Sequence, residues 1–435
     1  MSQQEATHRA IEAVWRIESA KIVAGVARMV RDIGVAEELA QDALLCALEH
    51  WPEAGVPGNP GAWLMAAAKH RALDRLRRDK LGDGKLEEYG RDLEAQEAHF
   101  VPDFVDALSD ARADEIGDDL LRLIFTACHP VLSTEARTAL TLKLVGGLST
   151  AEIARAFLVG EPTVAQRIVR AKRTLTEARV PYEVPRGEEL SRRLGSVLEV
   201  VYLVFNEGYT ATAGDDWMRP ALCDEALRLG RMLAVLAHGE PEAHGLIALM
   251  ELQASRIAAR TDAQGRPVLL LDQDRGRWDR LLIRRGLAAL ERAQALVDAG
   301  EGSTPHASLG AYALQASIAA CHARAAVAAD TDWARIAAIY DALSQLHPSP
   351  VVELNRAIAV AMAFGPAAGL EIIDRLRNDP ALKNYQWLPS ARGDLLAKLG
   401  RNHEARAEFM RAAQLAQNTR ERELMLERAR QSEAS

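Results

Sequence analysis

Residues 148–175 read LSTAEIARAFLVGEPTVAQRIVRAKRTL. The stretch predicts two short helices and a tight turn. Ser149 with Glu152 three residues on forms a capping box, which starts a helix. Ile153, Ala154 and Phe157 supply its apolar stripe. Gly160 interrupts the pattern, and Pro162 opens a second helix. At 100° per residue, Val164, Ile168, Ala171 and Leu175 share one face of that helix. Thr163, Gln166, Arg170 and Arg173 fall opposite, with Arg167 on the flank. One face packs; the other carries hydroxyl, amide and guanidinium groups of the kind that pair with base edges in a major groove. The competing reading is an amphipathic helix pair with an ordinary solvated face.

The rest of the chain is built around that unit. Its 435 residues exceed one ordinary core and predict about two to four domains. Apolar residues make up 49% and aromatics 5%, a balance that favours helices throughout. A formal net charge of −8 excludes a uniformly basic nucleic-acid binder but not local basic patches. Cys46, Cys128, Cys223 and Cys321 have no metal-ligand spacing, so each is expected in a core, in a reducing compartment. The first residues, MSQQEATHRA, hold no apolar signal core, and no apolar run approaches the roughly 20 residues of a membrane span. The expectation is a cytoplasmic protein with no membrane partner.

Residues 8–50 read as two or three helices, with a turn expected at Gly34 and a loop at residues 52–61, PEAGVPGNPG. Asn59 caps the next helix, and Pro60 takes its first position. That helix carries six Lys/Arg and two Asp between Trp63 and Lys80. Leu64, Met65, Ala68, Ala72 and Leu76 form its apolar arc, and Trp63, His70, Asp74, Arg77 and Arg78 lie on the other. An aromatic on a basic helix beside a Gly/Pro loop suits the stacking of unpaired bases. The alternative puts Trp63 in the core and pairs Asp74 with Arg77 or Arg78.

Taken in order, AEELAQDALLCALEHW, NPGAWLMAAAKHRALDRLRR and the 148–175 stretch resemble bacterial extracytoplasmic-function (ECF) sigma factors over roughly the first 180 residues. The first two are similar to region 2 of that family and the third to region 4. The resemblance implies an all-α fold and two partners, RNA polymerase core and promoter DNA. It implies that Leu39, Gln41, Asp42 and Leu45 meet the polymerase clamp. Asn59, Trp63, His70, Arg71, Arg75, Arg77 and Arg78 would meet the −10 element. Thr163, Gln166, Arg167, Arg170 and Arg173 would meet the −35 element.

The expected domains are 1–80 (region 2), 81–115 (an acidic linker), 116–180 (region 4) and 186–435 (a helical C-terminal half). Residues 81–119 carry thirteen Asp/Glu against three Lys/Arg, which predicts a solvated linker. In the C-terminal half, Gly365 and Gly400 each sit between two helical segments, 35 residues apart. A period of about 34 residues with paired helices points to tetratricopeptide-like repeats, whose curved arrays bind partners. Two further stretches, VVYLVFNEGYTAT (200–212) and LLLDQDRGRWDR (269–280), with FTACHPVLSTEA, resemble the sigma-factor subgroup bearing such a C-terminal domain. Glu207, Tyr209, Asp272, Asp274, Arg275 and Trp278 either line a pocket for a small-molecule or protein effector or hold helix junctions together.

Enzyme motifs are missing. His238, Glu242 and His244 lie in HGEPEAH, which lacks HExxH spacing, and no phosphate-binding glycine motif follows a strand. The expectation is no catalytic residue, no metal and no cofactor. The functional expectation is an alternative sigma factor regulated in cis by its C-terminal half. The alternative is a ligand-sensing helical-repeat DNA-binding regulator that never joins polymerase.

Overall fold

A computed structural model describes residues 3–82, 113–157, 159–186, 188–210, 218–300 and 308–434. The described residues form eighteen α-helices and no strand. They fall into two compact units, Met1–Val200 and Val201–Ser435. Most of the acidic stretch expected at 81–115 lies outside the described residues.

The first unit opens with α1 (Gln3–Val30), α2 (Ile33–Ala54) and α3 (Pro60–Gly82), which pack on one another. The α1–α2 turn comes earlier than Gly34. Arg31 adopts φ 54°, and the Asp32 carboxylate accepts from the N–H of Gly34 at 2.7 Å and Val35 at 3.0 Å. Gly34 therefore sits in the first turn of α2, because the capping carboxylate fixes where a helix starts. Pro52 also belongs to α2, and the chain leaves that helix at Gly55, φ 85°. Buried Ile33, Ala36, Leu39, Ala40, Ala43, Ala47 and Trp51 give α2 its packed stripe.

Next come α4 (Ala113–Ala127), α5 (Thr134–Leu144), α6 (Thr150–Ala156) and α7 (Glu161–Glu177). These helices do not stand apart from α1–α3: α4 and α5 contact α1, and α7 contacts α2. Glu37, 6% exposed, forms ion pairs with Lys172 and, at 4.0 Å, Lys143. The Thr176 hydroxyl donates to the second oxygen of Asp32 at 2.9 Å. The Tyr182 hydroxyl reaches the carbonyls of Ala24 and Asp119, both at 3.0 Å. Burial raises the Tyr182 pKa, so the hydroxyl keeps its proton for this contact. The start of α8 (Glu188–Tyr209) completes the unit. Leu194, Val197, Leu198 and Val200 are buried, and Arg193 donates to the Phe125 carbonyl at 3.0 Å.

The second unit continues with α9 (Pro220–Leu236), α10 (Pro241–Ala254), α11 (Arg280–Asp298), α12 (Ala311–Arg324) and α13 (Trp333–Leu346). It ends with α14 (Pro350–Phe364), α15 (Pro366–Leu376), α16 (Trp387–Lys398), α17 (Asn402–Leu415) and α18 (Thr419–Ala434). Gly365 and Gly400 turn the chain at φ 101° and 73°, conformations that favour glycine. Leu354, Ile373, Leu396 and Phe409 anchor the core of α14–α18. Within it, Arg392 is paired to Asp374 at 2.8 Å and Glu408 at 2.7 Å. A buried guanidinium needs such partners.

Candidate nucleic-acid interface

The α6–turn–α7 unit follows the sequence reading closely. The Ser149 N–H donates to the Glu152 carboxylate at 2.8 Å, and the Glu152 N–H to the Ser149 hydroxyl at 3.2 Å. Gly160 is the N-cap of α7 and Pro162 its second residue. Val164, Ile168, Ala171 and Leu175 are all buried. Thr163, Gln166, Arg170 and Arg173 are exposed and Arg167 is half-buried. Arg173 donates to Glu177 at 2.6 Å, so part of its charge is spent along its own helix. The outcome is a helix anchored on one side, presenting two guanidiniums, an amide and a hydroxyl on the other.

On α3, Asn59 caps the helix through its side chain, which accepts from the Ala62 N–H at 3.1 Å. His70, Arg75, Arg77 and Arg78 are exposed. Asp74 lies among them, 3.3 Å from His70 and 3.6 Å from Arg77, and its carbonyl accepts from Arg78 at 3.4 Å. Trp63 lies between the expected exposed arc and the core of the alternative reading, and Arg71, named through the family resemblance, is drawn inward. Trp63 is half-buried, its ring edge-on to the fully buried Trp51 with centroids 5.4 Å apart. Arg71 turns inward and donates to the Cys46 sulfur at 2.7 Å.

On α2, Gln41 and Leu45 are exposed and Asp42 is half-buried. Leu39 faces inward. It is 6% exposed and lies on the packed stripe, because a three-to-four residue repeat from Ile33 carries it inward. Cys46, expected in a core, is half-buried, whereas Cys128, Cys223 and Cys321 are buried as expected. Burial pushes the thiols of Cys128 and Cys223 up to about 11 and about 12.

The candidates of the second unit form a layered cluster. Glu207 is ion-paired to Arg219. Arg260 caps the end of α8 through the Tyr209 carbonyl and the Thr210 hydroxyl, with its guanidinium 3.5 Å from the Tyr209 ring centroid. Trp278 and Arg275 are buried, at 3% and 7% exposure. Arg275 donates to the carbonyls of His322 at 2.6 Å and Ala325 at 2.7 Å, closing the end of α12. Asp274 caps the short turn Arg275–Arg277, accepting from the Gly276 N–H at 2.8 Å, while Asp272 is exposed. Arg275 and Trp278 thus sit where the 269–280 segment meets the end of α12. Sequence reasoning missed Arg256, whose guanidinium lies 5.9 Å from both the Tyr209 and Trp278 ring centroids and joins the two motifs. Sequence reasoning also missed Asp32, Glu37, Lys172 and Tyr182. The only sequence signal among them is Asp32, a capping residue just ahead of the α2 pattern.

A helical unit with a capped helix-turn-helix and a second basic helix defines a DNA-binding transcription protein. Residues 15–81 match Sigma-70 region 2, residues 122–175 match Sigma-70 region 4, and residues 193–294 match a family of unknown function, DUF6596. The chain is 32% identical over 156 residues to the ECF RNA polymerase sigma factor SigK of Mycobacterium ulcerans (strain Agy99), covering 34% of this chain and 75% of that one. The same factor of Mycobacterium tuberculosis (strain ATCC 25618 / H37Rv) is 31% identical over the same length and coverage. An uncharacterized protein of Rhizobium meliloti (strain 1021) is 42% identical over 395 residues, 91% of this chain and 89% of that one. No solved structure matches. The chain belongs to the ECF sigma-factor family: it is an alternative sigma factor that acts with RNA polymerase. No helix among the described residues is long and apolar enough to cross a membrane.

Proposed function

We propose that this sigma factor reads the −35 element through the exposed face of α7 and opens the −10 element with α3. Gln41, Asp42 and Leu45 of α2 engage the polymerase core. The observation that carries the reading is the division of α7, with Val164, Ile168, Ala171 and Leu175 buried and Thr163, Gln166 and Arg170 exposed. A helix so divided keeps its orientation while its polar side chains reach base edges. Within this reading Asn59 acts by holding the start of α3, and Trp63 and Arg71 act from partly inward positions.

The second unit is the regulatory element, acting in cis as a tetratricopeptide-like domain. The helix–glycine–helix pairs around Gly365 and Gly400 support that reading. A tethered domain works at high effective concentration, so weak contacts suffice to bias the promoter-binding helices. The favoured sign is activation, so the domain is required for activity.

Run-off transcription with core polymerase tests both parts. A truncation ending at 183 would strip away Arg193 and the buried start of α8, so residues 1–210 are the better boundary. The full chain should transcribe, and 1–210, folded by circular dichroism, should not. Equal transcription by both would end the in-cis reading, and failure of the full chain to bind core polymerase would end the first.

A further inference from the structure

The two motif stretches of the second unit meet in a stack of alternating cations and rings. Arg260 lies over Tyr209, Arg256 lies by both Tyr209 and Trp278, and Arg275 lies 4.8 Å from the Trp278 ring centroid. Arg260 and Arg275 discharge part of their charge on helix-end carbonyls. Arg256 has no such outlet: no carboxylate lies within ion-pair distance of it among the described residues, and its Nε is buried without a hydrogen-bond partner. Three more buried nitrogens around it are also without a partner there: Arg275 Nε, Trp278 Nε1 and His322 Nδ1. Their residues are 7%, 3% and 5% exposed. Buried donors left unmade cost free energy, and a packed core normally satisfies them. Ring faces compensate the cations in part, but they offer the N–H groups no acceptor in their plane.

We propose that this cluster is a binding site for a small oxyanion of the phosphate class, with Arg256 as its central contact. Unpaired guanidinium and indole donors, with a neutral imidazole beside them, form the complement of an oxygen-rich anion and reject cations. Only Arg256 of the three arginines is partly exposed, so it is the one that solvent reaches. The site deepens the regulatory reading of this unit by giving it an effector chemistry. The ligand ties α8 to the 269–280 segment and to α12, so its binding orders the start of the regulatory unit. Glu207 takes no part, being committed to Arg219.

The test is a titration of the full chain with inorganic phosphate, followed by the indole N–H resonance of Trp278, assigned with Trp278→Phe, and by calorimetry. Sodium chloride at matched ionic strength is the control, and citrate is a second arm that separates carboxylates from phosphate. Saturable phosphate binding should move the Trp278 resonance, and Arg256→Gln should weaken it about tenfold or more. Arg256→Lys, which retains charge but not the planar fork, should fall between. No phosphate-specific shift at Trp278, or equal binding by Arg256→Gln, overturns the proposal, because phosphate is then held by other basic faces. A response to citrate alone overturns the phosphate class. None of these readouts involves transcription, so the result stands apart from the run-off experiment.

Discussion

Arg170 shows what one side chain contributes when its helix is fixed from behind. It is exposed on α7 and unbonded among the described residues, next to Gln166 one turn earlier, and its neighbour Ala171 is buried. Arg170→Ala should cost about 1–3 kcal/mol of discrimination between −35 sequences if it pairs bidentately with a base. Fluorescence anisotropy on matched and mismatched duplexes measures this, and equal weakening of both would make Arg170 a phosphate contact. His322 makes a different kind of prediction. Burial pushes its imidazole down to about 3, and the guanidiniums of Arg256 and Arg275 act in the same direction. In the unfolded chain it takes a proton near 6.5. Stability from the neutral form is therefore complete above about pH 6.5 and is lost as pH falls toward 3. The loss is about 2 kcal/mol between pH 6.5 and 5, at about 1.4 kcal/mol per unit. His322→Gln should remove that slope from urea unfolding measured at pH 7 and pH 5.

Elements were legible where one local rule governed them. The capping box at Ser149, the N-cap at Asn59 and the buried face of α7 follow from spacing and hydrogen-bond chemistry alone. The surroundings of Trp63, Arg71 and Leu39 were not legible, because a helical pattern does not say which neighbour covers an arc. Trp51 covers Trp63, Cys46 receives Arg71, and the α2 stripe takes in Leu39. The Tyr209–Arg256–Trp278 stack joins residues about 70 positions apart, beyond the reach of any periodicity argument. The pairing of α14 with α15 was legible through Gly365, but its closeness was not. A Cβ at Gly369 would lie 2.4 Å from the Ala361 Cβ and 2.5 Å from the Ala357 carbonyl. Gly369→Ala should then destabilise the second unit by about 1–3 kcal/mol, despite alanine's better helix propensity. Thermal circular dichroism of the full chain measures it, and a gain in stability would mean that the two helices separate freely.

At the scale of the whole molecule, the first unit raises a question of access. The two helices proposed to read the promoter belong to parts that are packed together, with Glu37 of α2 held by Lys172 of α7. Gln41, a proposed polymerase contact, donates to the same Glu37 carboxylate at 3.0 Å. Engaging polymerase therefore competes with this internal pairing. Lys172→Glu sets like charges against each other around a largely buried carboxylate and should cost about 3–5 kcal/mol of docking. Small-angle scattering should show a larger radius of gyration for that variant. An unchanged profile would mean that apolar packing alone holds the parts together.

Cys46 gives the molecule a built-in reporter. The thiols of Cys128, Cys223 and Cys321 are buried and held protonated, and a thiol in that state reacts slowly with alkylating reagents. Cys46 is half-buried on α2, next to Leu45 and in contact with Arg71 of α3. A maleimide dye should thus label the native chain at one place, with no engineered cysteine. That place lies between the helix proposed to meet polymerase and the helix proposed to meet opened DNA. The rate of labelling becomes a clock for both events: docking on α2 shields the sulfur, and movement of Arg71 toward DNA uncovers it.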